Sequence, residues 1–593
     1  MNKHLLFWPP ALILMSAGST HSVASGPFGA EFELSALNGT NGFVMNGIDA
    51  ADYSGRSVSD AGDVNGDGIG DIIIGANWAD PNGFDFSGES YIVFGSAGIG
   101  AGGSFELSSL NGTNGFVCNG IDQDDQSGHI VSSAGDVNND GFDDIIIGAP
   151  KADPNGESSG EYYVVFGGVG VGSGGTLELS SLNGTNGFVL NGIDANDTGR
   201  ACSAAGDINS DGIEDLIIGA FFAEPNGRRS GESYVVFGSA SIGAGGSLEL
   251  SSLNGTNGFV CNGIDEFDQS GSTVSGAGDV NGDGIDDVII GAGSADPNGV
   301  HNAGESYVVF GGVGVGSGGS LDLSTLNGMN GFVCNGIDSR DYCGHSVSGA
   351  GDVNGDGFGD LIIGAASADP GGSYSAGESY VVFGGATVGS GGTLDLSSLN
   401  GANGFICNGI DTYDESGISV SGAGDLNGDG FDDIIIGADY ADPNGASTGG
   451  ESYVVFGGIG VGSGGMLNLS DLLASNGATG NIGFVLNGIN AFDHSGRPVS
   501  GAGDVNGDGI GDIIIGARFA DPNGSHSGES YVVFGRCTLP GNLNNDIVVD
   551  TADLGILIAQ FGTAGPEADL NNDGVVDTAD LGILIGAFGS TCD

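Results

Sequence analysis

The stretch "GDVNGDGIGDIIIGA", residues 62–76, joins an acidic, glycine-rich loop to an apolar run of three isoleucines. Its acidic part places Asp63, Asn65, Asp67 and Asp71 close together in the sequence. Six similar stretches follow, and the seven loops begin at Asp63, Asp136, Asp207, Asp279, Asp352, Asp425 and Asp504. Repetition at a nearly fixed spacing is typical of solenoids, propellers and linear arrays. The chain is therefore predicted to contain seven copies of one unit.

Each unit contains four short segments typical of β-strands, represented by "GFVLNGI", "SVSGAGD", "DDIIIGA" and "ESYVVFGG". The segments are rich in Val, Ile, Tyr and Phe, and they are separated by Gly, Asn and Asp, as expected for strands joined by tight turns. No segment of this region keeps a helical period. Four strands in each of seven units predict an all-β fold, a seven-bladed β-propeller.

The two ends of the repeat region predict a closed ring. A lone "GFVMNGI" at Gly42 precedes the first complete unit, whereas the last unit ends with "YVVFG" at Tyr531 and has no such strand after it. The N-terminal strand can complete the last blade, which would remove an exposed sheet edge. An open linear array of the same units is the alternative.

The acidic loops predict calcium sites. Each has Asp at positions 1, 5 and 9, Asn at position 3 and Gly at position 6. Ca²⁺ takes six to eight oxygen ligands from carboxylates, amides and backbone carbonyls, and a glycine at position 6 permits a sharp turn. Solvated turns are the alternative, while Mg²⁺ prefers fewer protein ligands and zinc prefers His and Cys. The candidate ligands are Asp63, Asn65, Asp67, Asp71, Asp136, Asn138, Asp140, Asp144, Asp207, Asn209, Asp211, Asp215, Asp279, Asn281, Asp283, Asp287, Asp352, Asn354, Asp356, Asp360, Asp425, Asn427, Asp429, Asp433, Asp504, Asn506, Asp508 and Asp512.

Charge and the N-terminal segment indicate a secreted protein. Acidic residues number 76 against 10 Lys and Arg, and the net charge of −66 argues against binding to nucleic acid or to anionic membrane surfaces. Residues 1–24 combine Lys3, a short apolar run and the small-residue sequence "SVA", as expected for a cleaved signal peptide. An uncleaved N-terminal anchor is the alternative. No later segment is apolar enough to predict a membrane span.

The quoted loop and the "YVVFG" strands resemble FG-GAP repeats, which form the seven-bladed propeller of integrin α subunits and occur in many bacterial secreted proteins. The resemblance covers residues 27–536. It implies extracellular adhesion or ligand binding, with calcium in a structural role. Integrin α subunits carry the calcium loop in some blades only, whereas all seven loops are complete here.

Residues 537–593 predict a second module. "NLNNDIVVDTADLGILIAQFG" is followed by "DLNNDGVVDTADLGILIGAFG", so an EF-hand-like loop and an apolar helix are duplicated. The second loop is complete except for Asp at position 12, whereas the first has Asn542 at position 1 and Ile547 at position 6 and is expected to bind Ca²⁺ more weakly. The candidate calcium ligands are Asn544, Asp546, Asp550, Asp553, Asp569, Asn571, Asp573, Asp577 and Asp580.

The duplicated module resembles a type I dockerin, the small α-helical domain that attaches secreted proteins to cohesin domains. That resemblance implies a cohesin-like partner, recognised through Thr551 and Ala552 or through the equivalent Thr578 and Ala579. A calcium-stabilised helical tail and an anchor of other specificity are the alternatives. Cys537 and Cys592 flank the module and can form a disulfide that closes it, with two free thiols as the alternative.

The sequence predicts a secreted calcium-binding adhesion or ligand-binding protein, with an extracellular protein or polysaccharide as ligand. No H-E-x-x-H or G-x-S-x-G motif occurs, so no catalytic residue is predicted. A propeller enzyme that hydrolyses or cleaves polysaccharide within a degradative complex is one alternative, since dockerins often accompany such enzymes. A structural component of the cell surface is another.

One position of the repeat is unusually basic. The residue before the second strand-like segment of each unit is Arg56, His129, Arg200, Ser272, His345, Ile418 or Arg497. Local ion pairs with the nearby Asp of "D-x-S-G", such as Asp52 or Asp493, are the simpler interpretation. A partial basic ring on one face of the propeller, which receives an acidic glycan or protein, is the other.

Overall fold

The strand "DIIIGA", Asp71–Ala76, is buried along its whole length, and six equivalent strands are buried in the same way. A computed structural model describes residues 28–197, 199–537, 543, 548–563, 568, 570 and 575–589. The predicted signal peptide, residues 1–24, lies outside these residues. Within them, the strands form seven five-stranded sheets, the blades of the predicted propeller.

Four strands of each blade run antiparallel, from the axis outwards. The innermost strands are Ser57–Gly62, Ile130–Gly135, Ala201–Gly206, Thr273–Gly278, Ser346–Gly351, Ser419–Gly424 and Val499–Gly503. The second strands are Asp71–Ala76, Asp144–Ala149, Asp215–Ala220, Asp287–Ala292, Asp360–Ala365, Asp433–Ala438 and Asp512–Ala517. The third strands are Glu89–Val93, Glu161–Val165, Glu232–Val236, Glu305–Val309, Glu378–Val382, Glu451–Val455 and Glu529–Val533. The fourth strands are Gly115–Asn119, Gly187–Asn191, Gly258–Asn262, Gly331–Asn335, Gly404–Asn408, Gly483–Asn487 and Gly42–Asn46.

The ring is closed, as the ends of the repeat region predict. The fourth strand of the last blade is Gly42–Asn46, which pairs antiparallel with Glu529–Val533 and places Val44 opposite Tyr531. Each innermost strand contacts the next one around the axis, and the innermost strand of the last blade contacts that of the first. Closure through an N-terminal strand leaves no gap between the first and last blades.

The prediction of four strands per unit was wrong by one. A three-residue fifth strand pairs in parallel with the fourth strand of the preceding blade, as Thr176–Glu178 does with Val117–Asn119. A segment of three residues is too short to show a β period, so the sequence pattern did not reveal it. The fifth strands are Thr176–Glu178, Ser247–Glu249, Ser320–Asp322, Thr393–Asp395, Met466–Asn468, Glu31–Glu33 and Ser104–Glu106.

Short 3₁₀ turns complete the propeller. One follows each fifth strand and begins with a buried leucine: Leu34–Ala36, Leu107–Ser109, Leu179–Ser181, Leu250–Ser252, Leu323–Thr325, Leu396–Ser398 and Leu469–Leu472. Others are Pro81–Gly83, Pro297–Gly299, Pro370–Gly372, Pro443–Gly445 and Ala474–Asn476.

Neighbouring blades pack face to face, and this explains the apolar run. Side chains alternate between the two faces of a strand, so Ile72 and Ile74 pack towards one neighbouring blade and Ile73 towards the other. Gly75 is required because a Cβ atom there would lie 2.0 Å from the carbonyl oxygen of Gly128 in the next blade. The "DIIIGA" run is therefore the second strand of each blade, and "SVSGAG" is the innermost strand, next to the axis.

Six cysteines are free and buried: Cys118, Cys202, Cys261, Cys334, Cys343 and Cys407. Cys343 replaces a serine of other units, such as Ser54, whose buried hydroxyl has no hydrogen-bond partner in the described structure. A thiol therefore fits this position without loss of a hydrogen bond. Cys537 is disulfide-bonded, but Cys592 lies outside the described residues, so the pairing of the two stays a prediction.

The C-terminal module contains two α-helices, α1 (Thr551–Gln560) and α2 (Thr578–Ala587). Leu557 and Leu584 are buried together in a small separate core. Each helix begins with a capping box, in which Asp550 or Asp577 accepts a backbone N–H and the Asp three residues later accepts one in return. The duplicated sequence thus forms two equivalent helix starts.

Candidate functional site

Each acidic loop links the end of an innermost strand to the start of a second strand. In the first loop, the carboxylate of Asp63 accepts the backbone N–H groups of Asp67 and Gly68 at 3.0 and 2.8 Å. Asp67 accepts the N–H of Ile69 at 3.0 Å. The same bonds recur in the other six loops. The loops therefore share one conformation, with Gly68 at φ +86° in the turn.

The Asp at position 9 is the buried end of the loop. Asp71 is fully buried and accepts backbone N–H groups from Gly95 at 2.9 Å and Val64 at 3.0 Å. Burial, together with the charges of Asp67 and Asp63, raises the pKa of Asp71 to about 8. A buried carboxylate beside two others is electrostatically unfavourable unless a cation or proton compensates it.

The loop residues fit a hard cation. The side-chain amide N–H of Asn65 lies 3.3 Å from Asp71, and the amides of the other loops face the equivalent Asp. In the sixth loop Asn427 is 2% exposed, and its Oδ1 has no hydrogen-bond partner in the described structure. A buried oxygen without a donor is suited to a metal ligand. No group of three or more His, Cys, Asp or Glu within the described ranges is arranged to hold a metal, so a cation in one of these loops would need amide and backbone oxygens among its ligands.

In the C-terminal module, the described candidate ligands are the capping residues. The carboxylate of Asp550 accepts the N–H of Ala552 at 2.6 Å, and Asp553 accepts that of Asp550 at 2.8 Å. Asp577 and Asp580 make the same contacts. Asn544, Asp546, Asp569, Asn571 and Asp573 lie outside the described residues, so the calcium sites of the module stay predictions.

The opposite face of the propeller carries a second set of carboxylates, which the sequence analysis missed. In the first blade the set consists of Asp49, Asp52, Asp80 and Glu89, which interact electrostatically with one another. Burial and these neighbours raise the pKa of Asp52 to about 7. Equivalent sets surround Asp125, Asp197, Asp268, Asp341 and Asp414, and a smaller set, with Asn490 in place of the first Asp, surrounds Asp493. The repeated "ADPNG" and "GES" segments were the available signal.

A cavity of about 440 Å³ opens on the same face, and we call it the cationic pocket. Its cations are Arg56, Lys151, Arg200 and Arg518, and its aromatic walls include Tyr53 and Trp78. Arg56 precedes an innermost strand whose other end continues into the acidic loop. Because that six-residue strand spans about 20 Å, the pocket and the loops lie at opposite faces of the ring.

The expected local ion pair of Arg56 with Asp52 does not form. Arg56 Nη2 instead lies 3.1 Å from Nε2 of His129, the equivalent residue of the next blade. Within the described ranges, no carboxylate lies at ion-pairing distance from the four cations of the pocket. Asp52 is held instead among the carboxylates of its own set, so proximity in sequence was misleading.

In the last blade, which neighbours the first, the basic position is neutralised. Arg497 lies 3.9 Å from the buried carboxylate of Asp439, rather than beside Asp493, and His494 lies 3.4 Å from the same carboxylate. Glu415 lines the neighbouring cavity together with Arg497. The basic ring is therefore one-sided, and its uncompensated half is the cationic pocket.

The residues of the pocket come from positions where the units differ. Trp78, Lys151 and Phe519 all follow second strands at the same repeat position, whereas the acidic loops hardly vary. Comparison of the units at this position was the signal that could have revealed the pocket. Residues that are the same in every unit build the blades, whereas residues that differ between units line the cationic pocket.

Comparisons with known proteins agree with the fold. Six segments match the family described as FG-GAP repeat: residues 55–93, 127–165, 270–309, 344–382, 416–455 and 498–533. These segments span the three inner strands of every blade except the third, which has the same strands and loop contacts.

The relatives include integrin α subunits. Integrin alpha-5 of Xenopus laevis is 28% identical over 40% of this chain and 20% of its own length. Integrin alpha pat-2 of Caenorhabditis elegans is 30% identical over 41% of this chain and 18% of its own length. The chain thus matches about a fifth of the length of these relatives.

A solved structure titled "Type II cohesin-dockerin domain from Bacteroides cellolosolvens" is 51% identical over 9% of this chain and 88% of its own, with a TM-score of 0.09. A likeness of that extent does not bear on the fold of the chain as a whole. Among the described residues, no helix combines the length and apolar character needed to cross a membrane. The chain thus contains six segments that match FG-GAP repeats, and they lie within a closed seven-bladed propeller.

Proposed function

We propose that this chain is a secreted ligand-binding or adhesion protein whose propeller holds calcium on one face and an extracellular ligand on the other. The observation that carries the proposal is the separation of two kinds of residue at opposite ends of the innermost strands. At one end, seven nearly identical acidic loops share one conformation. At the other end, residues that differ between units line a cavity of ligand size.

Calcium has a structural role in this proposal. Asp63, Asn65, Asp67 and Asp71, with their equivalents in the other six loops, would hold one ion per loop. The ion would supply positive charge that compensates carboxylates whose burial is otherwise unfavourable. Because the unfolded chain lacks preformed sites, binding would stabilise the folded ring.

The C-terminal module would tether the protein to a cohesin-like partner. Support comes from the duplicated loop-and-helix sequence and from the two equivalent capping boxes at Asp550 and Asp577. Thr551 and Thr578 occupy the first positions of the two helices, where equivalent side chains can present the same surface in either orientation.

The test uses the full-length protein with calcium and a panel of immobilised extracellular polysaccharides, matrix proteins and cohesin modules. We expect calcium-dependent binding to at least one polymer and one cohesin, without release of reducing ends or unsaturated products. A variant with both Thr551→Arg and Thr578→Arg is expected to lose cohesin binding while polymer binding persists. Turnover of a polysaccharide, or binding to no member of the panel, would overturn the proposal.

A further inference from the structure

The cationic pocket concentrates charge that is rare in this protein. The chain has 10 Lys and Arg against 76 acidic residues, yet four of those cations line one cavity that contains no carboxylate. Burial and the charges of Arg518, Arg497 and Arg200 lower the pKa of Arg56 to about 9, which leaves it charged at neutral pH. Like charges held together without counterions destabilise a fold, so their retention points to an anionic ligand.

Contacts around the cations hold them in place. The guanidinium of Arg518 lies 4.8 Å from the ring centroid of Phe519, and that of Arg200 lies 5.8 Å from the ring of Phe221. Nε2 of His129 accepts a hydrogen bond from the guanidinium of Arg56, and the buried Nδ1 of His129 has no partner in the described structure. Guanidinium groups fixed in this way are suited to paired hydrogen bonds with a carboxylate or a sulfate.

The walls of the pocket are aromatic and amide-bearing. Tyr53 packs edge-on against Trp78 at 4.8 Å and against Phe519 at 5.6 Å, and Trp78 is 39% exposed. Asn77 and Gln126 also line the cavity. Exposed flat rings cover the apolar face of a pyranose, while side-chain amides can both donate to and accept from hydroxyl groups. A carbohydrate uses both features, whereas an acidic peptide needs only the cations.

The surroundings limit how much negative charge a ligand can carry. The carboxylate sets around Asp52, Asp125 and their equivalents lie on the same face, and another cavity is lined by Asp194, Asp197 and Glu232. Charges within a Debye length of about 8 Å at physiological ionic strength repel one another appreciably. A polyanion would therefore be repelled by these carboxylate sets, whereas a ligand with one anionic group among neutral sugar units would reach the cations.

We propose that the cationic pocket binds a sugar unit that carries a single carboxylate or sulfate and belongs to an otherwise neutral carbohydrate. This inference rests on the proposed ligand-binding function and specifies its ligand class and site. The anionic group lies between Arg56, Arg200 and Arg518, and the sugar ring packs against Tyr53 and Trp78.

The experiment is a titration of the protein without residues 1–24, the predicted signal peptide, because Trp8 and Trp78 are the two tryptophans of the chain and Trp8 lies in that segment. Emission then reports on Trp78 alone. The probes are xylotriose bearing one glucuronic acid branch, xylotriose bearing one sulfate ester, neutral xylotriose, polygalacturonate and a tetraglutamate peptide. We expect at least one singly charged sugar to bind about tenfold or more tighter than neutral xylotriose and to change the emission of Trp78.

A pair of double variants locates the site. Arg200→Gln with Arg518→Gln should weaken binding of the charged sugar about tenfold or more. Arg228→Gln with Arg229→Gln removes the same charge from residues that do not line the pocket, and it should leave the affinity unchanged. Lys151→Gln, at an exposed side chain, serves as a milder second test if the first pair lowers stability.

Equal binding of neutral xylotriose, tighter binding of tetraglutamate or polygalacturonate, or unchanged affinity in the Arg200 and Arg518 variant would overturn the inference. The experiments distinguish failure of the pocket proposal from failure of the proposed function. Polymer binding that persists in that double variant contradicts the pocket and leaves the proposed function intact. Binding of the charged sugar without binding to any extracellular polymer contradicts the proposed function and leaves the pocket intact.

Discussion

Nη2 of Arg56 lies 3.1 Å from Nε2 of His129, although the two residues belong to neighbouring blades, and within the described ranges no cation of the pocket forms an ion pair with a carboxylate. Burial and the adjacent Arg56 lower the pKa of His129 well below its usual value, so this imidazole is neutral at pH 7 and accepts from the guanidinium. Two basic residues of adjacent repeats are thus in contact, and only Arg56 of the two carries a charge at pH 7.

The Arg56→Met variant should be more stable than the parent protein in the absence of ligand. The pKa of a buried base lowered from 12.5 to about 9 means that folding disfavours its charged form at pH 7. We expect the melting temperature to rise by about 1–3 °C. Differential scanning calorimetry measures it, with Arg340→Met, a change away from the pocket, as the control. A decrease would show that the contact with His129 outweighs the repulsion.

The sequence predicted the seven equivalent acidic loops and the closed ring because both depend on the local spacing of residues. Calcium binding by the loops stays a prediction. The spacing of Asp63, Asn65 and Asp67 predicts oxygen ligands for a hard cation. The unpaired "GFVMNGI" segment predicts the strand that completes the last blade. The fifth strand was missed because three residues, as in Thr176–Glu178, carry no period. The sequence indicated only part of the pocket, the basic repeat position that includes Arg56 and Arg200. Arg518 lies far from Arg56 in the sequence, and closure of the ring brings the two together.

Calcium removal should destabilise the propeller strongly. A site saturated at about 100 times its dissociation constant adds about 2.7 kcal/mol, and seven loops are predicted to bind. We expect a chelator to lower the melting temperature by about 10 °C or more. Restored calcium should reverse the effect, whereas magnesium at the same concentration should not. An unchanged melt would mean that the loops are not structural calcium sites.

A single loop substitution should remove a single ion. Asp429→Asn replaces the carboxylate at position 5 of the sixth loop, beside the unpartnered Oδ1 of Asn427, and keeps the side-chain size. Native mass spectrometry should show one calcium ion fewer than the parent protein. Asp471→Asn, an exposed change of the same charge outside the loops, should leave the count unchanged. Equal counts in both variants would contradict the assignment.

Closure of the ring should depend on the N-terminal strand. Phe43 is fully buried in the last blade and lies 5.8 Å from Phe534. Loss of a buried phenylalanine side chain usually costs about 3–5 kcal/mol, so Phe43→Ala should unfold at markedly lower denaturant concentration. Phe492→Ala, at a residue that is 65% exposed, should change stability by less than about 0.5 kcal/mol. Similar midpoints for the two variants would argue that this strand does not hold the ring closed.

The second set of carboxylates should give the calcium-free protein a stability that falls as pH rises. Burial and the neighbouring Glu161, Asp122 and Asp153 raise the pKa of Asp125 from 3.8 to about 7. A carboxyl with a raised folded-state pKa binds more protons folded than unfolded between these values, so its charged form disfavours folding fully above pH 7 and not at all below pH 4.

The Asp125→Asn variant tests this sign, because its amide cannot ionise. With a chelator present throughout, the stability of the variant relative to the parent should increase from pH 5 to pH 8, by about 1–2 °C in melting temperature or more. Asp471→Asn is the matched control, and its difference from the parent should not depend on pH in this range. A difference for Asp125→Asn that shrinks towards pH 8 would mean that a nearby cation, and not burial, governs this carboxyl.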